Sequence, residues 1–157
     1  MFAREDSGEP QLADLNTELE ATLRMVWNEL KYKCTVERDF GPLPLLRCHP
    51  NQLSQVFANL LVNAAQAIEK QGTIRIRTRH EGGEVVVSIS DTGQGMGPET
   101  LARLFTPFFT TKPRGQGTGL GLSVSQSIIA RHQGRIQVDS TPGQGTTFRI
   151  HLPITEP

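Results

Sequence analysis

No stretch of roughly 18 or more apolar residues occurs anywhere in the 157-residue sequence, so neither a membrane-spanning helix nor a secretory signal is predicted and the cytoplasm is the expected compartment. An excess of charge is lacking too. Lys and Arg total 16 against 16 Asp and Glu, which leaves no net field to draw the chain onto DNA, RNA or an anionic membrane and argues against a nucleic-acid partner. Cysteine is scarce: Cys34 and Cys48 lie in apolar surroundings without CxxC or histidine spacing, which excludes the usual zinc sites and predicts buried thiols. Two nucleotide-binding signatures are also absent. No GKS or GKT follows a glycine run, so there is no Walker A loop, and no strand feeds directly into the glycines of GTGLGL as a dinucleotide fingerprint requires.

What the sequence does contain is periodicity enough for one globular domain. Residues 1–11 are polar, carry Gly and Pro, and read as a disordered end or linker remnant, with the folded domain over 12–157. Leu12, Leu15, Leu19, Leu23, Val26 and Leu30 recur every three or four residues and predict an amphipathic helix over 12–30, with Asn16 or Asp14 as candidate caps. A short strand around Cys34 and Val36 ends at GPLP. The helix with the clearest pattern spans 51–70, started by Pro50 and Asn51 and closed before Gly72. Strands are expected at 73–79 and 84–90, joined through EGG, with Arg75, Arg77 and Arg79 on a solvated face. A short helix falls near Glu99–Leu104, a third main helix over 119–132, and a final antiparallel pair at RIQVDS and TTFRIHLP, joined by a turn to which Gly143 and Gly145 are suited. The result is an α/β, two-layer sandwich: a mixed sheet of about five strands with three main helices on one face, and a flexible lid over a bound ligand.

Four features point to a site. Asn59 and Asn63 lie one turn apart on the 51–70 helix, beside apolar neighbours, where an amide must find a partner or carry a desolvation cost of roughly 1–3 kcal/mol; an amide oxygen suits Mg²⁺. DTGQGMG follows a strand directly. Asp91 can accept from an adenine amino group and would repel the carbonyl of guanine, while Gly93, Gly95 and Gly97 let the backbone approach a flat ligand. TPFFTTKPRGQG cannot hold a regular element, and its Lys112 and Arg114 are candidates to reach phosphate, with Phe105, Phe108 and Phe109 rooting the loop. Finally, the backbone N–H groups around Gly117, Gly119, Leu120 and Gly121 open a helix and suit an anion.

Taken in order, NQLSQVFANLLVNAAQAI, DTGQGM, LFTPFFTTK, GQGTGLGL and TPGQGTTF resemble the five motifs of the histidine-kinase catalytic domains, within the ATPase superfamily shared with gyrase B, Hsp90-type chaperones and MutL. The resemblance covers about residues 12–153. It implies ATP and Mg²⁺ as ligands, with Asn63 as the metal ligand and Asn59 supporting metal and phosphates. It further implies adenine recognition by Asp91, a base pocket shaped by Gly93, Gly95 and Met96, and Gly145 and Thr146 near the base. Phe105, Thr111, Lys112, Arg114, Gly117, Thr118, Gly119, Leu120, Gly121 and Leu122 belong to the lid and phosphate-binding segment, Lys112 with a catalytic role. The hydrolytic branches carry a glutamate where this chain has Asn59, and an amide is no general base, so the difference favours phosphoryl transfer over hydrolysis. Basic or aromatic residues often follow the metal asparagine in the family; here Gln66 and Ala67 do.

None of His49, His80, His132 or His151 sits in the phosphoacceptor context of the family. The resemblance therefore implies a histidine-kinase catalytic domain that donates to a histidine on a separate dimerisation domain, and through it to a response-regulator aspartate. It implies no self-phosphorylation, a monomeric isolated domain and a longer parent compatible with membrane association. The TTKPxGxGTGLGL pattern and the NAAQAI helix resemble the nitrogen-regulatory type most. Rival readings are a noncatalytic ATP-binding regulatory module and a serine kinase of the anti-sigma type.

Overall fold

The computed structural model describes residues 8–107, 109 and 121–154. Seven strands are assigned among them: β1 Gln11–Ala13, β2 Cys34–Phe40, β3 Leu46–Cys48, β4 Gly72–Glu81, β5 Glu84–Asp91, β6 Arg135–Thr141 and β7 Gly145–Pro153. The helices are α1 Leu15–Leu30, α2 Pro50–Ala67, α3 Pro98–Arg103 and α4 Gly121–Arg131. Five strands form one mixed sheet in the order β2-β4-β5-β7-β6, with β2 parallel to β4 and the other neighbours antiparallel. The two-layer sandwich with a sheet of about five strands is thus the architecture observed.

Alternation decides which face of that sheet is covered. Ile74, Ile76 and Thr78 on β4, Val85, Val87 and Ile89 on β5, and Phe148, Ile150 and Leu152 on β7 are buried, as period-2 geometry requires of one face. The apolar stripes of α1 (Leu15, Leu19, Leu23, Val26, Leu30) and α2 (Leu53, Val56, Phe57, Leu60, Leu61) join them in one core cluster. Arg75, Arg77 and Arg79 turn to the other face, where Arg75 meets Glu37 while Arg77 and Arg79 meet Asp39. That face is solvated and paired, as the alternation predicts.

Element ends and two short strands differ from the sequence reading. Leu12 does not begin a helix. It lies in β1, which pairs antiparallel with β3 as a separate two-stranded sheet, and α1 starts at Leu15 because Asp14 accepts from the Asn16 backbone N–H at 3.0 Å and closes the N-terminus. The residue is spaced correctly for the helical stripe, yet it is 54% exposed. Helix α2 ends at Ala67 rather than residue 70, since Ile68 is already extended. Neither β1 nor β3 was predicted. Each is only 3 residues long, too short to show an alternation that distinguishes strand from loop.

Candidate nucleotide site

Apart from Thr78 on β4, the buried inward-facing residues of β4, β5 and β7 are apolar until the last row. Pairing places Ile76, Ile89, Phe148 and Val138 side by side across β4, β5, β7 and β6, and the next inward row is Ile74, Asp91, Thr146 and Ser140. One end of the covered face is therefore polar. Asp91 and Thr146 are both buried, so their polar atoms must be satisfied locally. The Gly93 backbone N–H donates to Asp91 Oδ1 at 2.8 Å, and the Thr146 backbone N–H also bonds the carboxylate. The Ser140 and Thr146 hydroxyls lie 2.7 Å apart, and the Met96 N–H donates to Ser140 Oγ at 2.8 Å.

Burial raises the Asp91 carboxyl above the ordinary carboxylate value, and the two backbone donors only partly oppose it. A carboxylate held in a desolvated row, short of full compensation, is suited to a ligand that brings its own donor.

Residues 92–97 run from that carboxylate to α3 and are clamped on both sides. The Gln94 N–H donates to the Ala67 carbonyl at 3.0 Å, and the Gly143 N–H donates to the Gln94 carbonyl at 2.7 Å. Gly95 has φ +71°, and a side chain there would enter the Thr141 carbonyl; at Gly93 it would enter Ala67. Gly145, at φ +123°, packs equally closely on the Asp91 carbonyl. The glycines of this loop and of the β6–β7 turn are thus demanded by backbone approach.

Helix α2 brings the amides. Asn59, Asn63 and Gln66 are separated by four and three residues, which puts them on one stripe, and all three are half-buried. Asn59 Nδ2 donates to Ser125 Oγ on α4 at 3.1 Å. Among the described residues, Gln66 Oε1 is buried without a hydrogen-bond partner, and an acceptor so placed calls for a donor beyond them, such as a water or a ligand.

Gly121 begins α4 against the Asn59 carboxamide, both of whose polar atoms a side chain at 121 would meet. Met96, Phe105 and Leu122 are half-buried against the core at the edges of this region, and the Phe109 ring stacks under the Arg103 guanidinium at 5.2 Å. The structure links Asp91, Gly93, Gly95, Met96 and Thr146 with Ser140 and the Thr141–Pro142 turn at the polar end of the sheet, and separately sets Asn59 against Gly121 and Ser125 where α2 packs on α4. Phe108, Thr111, Lys112, Arg114, Gly117, Thr118, Gly119 and Leu120 lie outside the described residues. Sequence reading missed Ser125 and Ser140, which give no motif signal because their partners are distant in the chain.

Oxygen donors from amides and a carboxylate, with a close-approach glycine loop, match the needs of a nucleotide and a hard cation. Residues 48–156 match the family described as histidine kinase-, DNA gyrase B- and HSP90-like ATPase. The chain belongs to this family.

Among its relatives, the sensor histidine kinase ZraS of Escherichia coli is 39% identical over 149 residues, covering 92% of this chain and 31% of that protein. The chain therefore spans about a third of the length of that relative. The catalytic domain of histidine kinase ThkA superposes with a TM-score of 0.84 at 28% identity, covering 94% of this chain and 97% of that one. Full-length ShkA, solved in complex with AMPPNP, gives a TM-score of 0.83 at 26% identity, covering 99% of this chain and 34% of that one. The five-stranded sheet with its helical layer is thus the catalytic ATP-binding domain of the histidine-kinase type. Among the described residues no helix is long and apolar enough to cross a membrane.

Proposed function

We propose that the chain binds ATP with Mg²⁺ and donates the γ-phosphoryl group to a histidine on a separate dimerisation domain, for onward transfer to a response-regulator aspartate. The observation that carries this reading is the buried, under-compensated Asp91 at the polar end of the sheet, beneath a helix that carries three amides on one stripe. The AMPPNP complex of ShkA supports the choice of nucleotide.

In this reading Asp91 accepts from the adenine amino group, and Gly93, Gly95, Met96 and Thr146 shape the base pocket. Asn63 holds the metal and Asn59 supports it, and Mg²⁺ when bound offsets charge on the phosphates. Phe105 and Leu122 pack the rim. From the sequence alone, the backbone of Gly117, Thr118, Gly119, Leu120 and Gly121 wraps the phosphates, with Thr111, Lys112 and Arg114 beside them. Transfer breaks the bond between the γ-phosphorus and the β–γ bridging oxygen, forms a nitrogen–phosphorus bond on the acceptor histidine, and releases ADP. Asn59 cannot deprotonate water, which keeps the donor for the histidine.

The finer assignment to the nitrogen-regulatory type rests on the TTKPRGQGTGLGL segment and the NAAQAI helix. A cytoplasmic site of action, a monomeric isolated domain and a linker remnant, drawn over 1–11 although Gln11 already pairs with Cys48 in β1, belong to the same reading. The test is transfer from γ-labelled ATP to a separately supplied histidine-containing dimerisation domain. Labelled acceptor with the intact chain and none with Asn63→Ala is the expected result, with no label on the chain itself. Tight Mg²⁺-dependent ATP binding without transfer to any of several matched acceptors would establish a noncatalytic regulatory module instead.

A further inference from the structure

Helix α4 meets α2 through a notch built by two of its residues. Gly121 and Ser125 are four apart and share one face, and the Asn59 carboxamide enters between them. At the upper wall, any Cβ on residue 121 would collide with both the oxygen and the nitrogen of that amide. At the lower wall, Ser125 Oγ accepts from Asn59 Nδ2 at 3.1 Å. Ser125 is only 2% exposed, and a serine on the buried face of a helix otherwise filled by Ile128 and Ile129 has no packing advantage over alanine.

An asparagine side chain has two nearly isosteric ends, one a donor and one an acceptor, and rotation by half a turn exchanges them. A site that needs the oxygen must forbid the exchange. The Gly121 wall holds the amide in place, and Ser125 selects its Nδ2 end when its own hydroxyl hydrogen is committed to a carbonyl one turn back on α4, which leaves Oγ as an acceptor only. We propose that Ser125 is a positioning residue that fixes the Asn59 carboxamide with its oxygen presented to the metal–phosphate side of the nucleotide site. The inference rests on the ATP–Mg²⁺ reading above. It also gives the departure from glutamate a structural counterpart: a side chain that lacks full charge keeps its orientation through a neighbour on the helix that follows the glycine segment.

The test combines a binding cycle with a ligand-free readout. Nucleotide affinity is measured with Mg²⁺ and with chelator for the wild type, Ser125→Ala, the nearly isosteric Ser125→Cys, Asn59→Ala and the double variant Asn59→Ala/Ser125→Ala. Ser125→Ala and Ser125→Cys are both expected to lose about 3- to 10-fold in affinity with Mg²⁺, the order of one hydrogen bond, and nothing with chelator. Adding Ser125→Ala to Asn59→Ala should cost nothing more, since coupled residues are non-additive.

In the nucleotide-free protein, the Asn59 side-chain amide resonances should shift and exchange faster with water in both serine variants. Wild-type affinity in Ser125→Ala, or an equal loss with and without Asn59, would overturn the inference while leaving the ATP–Mg²⁺ reading intact. A wild type whose affinity ignores Mg²⁺ would overturn both.

Discussion

At the scale of single residues, burial sets the chemistry and gives two opposite pH signatures. The Asp91 carboxyl is raised from 3.8, with desolvation the leading cause. The folded state therefore holds its proton more tightly than the unfolded chain, and the contribution to stability is full below 3.8 and lost as pH rises through the folded value. At neutral pH the ionised carboxylate is a burden on the fold. Asp91→Asn is expected to melt at or above the wild-type temperature at pH 7, while ATP affinity falls at least about tenfold; titration calorimetry beside thermal melts would separate the two.

His132 behaves the other way. Its Nδ1 lies 2.8 Å from the Ile128 carbonyl, and its Nε2 accepts from the His49 backbone N–H at 3.1 Å, which fixes the neutral tautomer. Burial first, with help from His49 and Arg131, lowers it from 6.5 against the pull of the Ile128 carbonyl. Stability is complete above 6.5 and declines as pH falls toward the folded value. Unfolding midpoints measured from pH 7.5 to 5.5 should fall for the wild type and fall less for His132→Gln. The thiols are inert for the same reason: burial pushes Cys48 up to about 11 and raises Cys34. At this scale the motifs drew attention to Asn59 and Asp91, which the structure holds in polar contacts with Ser125 and Gly93. The sequence was silent on Ser125, whose meaning comes from a partner 66 positions away.

At the scale of elements, the ends are more informative than the middles. Helix α4 closes with the Gly134 N–H donating to the Ile129 carbonyl at 2.9 Å and the Gln133 N–H to the Ala130 carbonyl at 2.9 Å, the paired bonds of a Schellman cap. The left-handed residue of that cap is Gln133, at φ 63°, although glycine is favoured there. Gln133→Gly is expected to raise stability by about 0.5–1 kcal/mol in urea unfolding.

The β6–β7 turn gives a sharper contrast. Gly143 has φ +80° with open space beyond its Cα, whereas Gly145 combines φ +123° with close packing on the Asp91 carbonyl. Alanine at 143 should cost about 1 kcal/mol and alanine at 145 clearly more, about 2–4 kcal/mol, with loss of nucleotide binding. The sequence suited both glycines to the turn, but only Gly145 packs its Cα tightly on the Asp91 carbonyl, while Gly143 reaches the 92–97 loop through its backbone N–H, which alanine keeps. Long elements were legible from their periodicity. The pairing of β1 with β3 was not, because three-residue strands carry no period and their contacts are tertiary.

At the scale of the whole molecule, ligand and fold are linked by mass action. ATP with Mg²⁺ at a hundred times its dissociation constant should stabilise the domain by about 2.7 kcal/mol, a rise of roughly 5–10 °C in melting temperature for a chain of this size. GTP with Mg²⁺ should produce little shift at the same concentration if Asp91 recognises the base as proposed, because a carboxylate there would face the guanine carbonyl. The layered architecture was legible in the order of helices and strands. What a string of residues does not display is the direction in which β2 enters the sheet.

β2 lies parallel to β4, with Cys34 opposite Gly72, so the chain must pass through β3 and all of α2 before that pair can form. The β4–β5 hairpin, by contrast, closes across Gly82 and Gly83 alone. Loop-closure entropy makes the hairpin early and the parallel edge late. During refolding, amide protons of β4 and β5 should gain protection before those of β2. On the ribosome, an emerging chain would carry β2 and α1 without a sheet to join until residues beyond β4 have left the exit tunnel, which makes the amino-terminal third of this domain the part that waits for its partner.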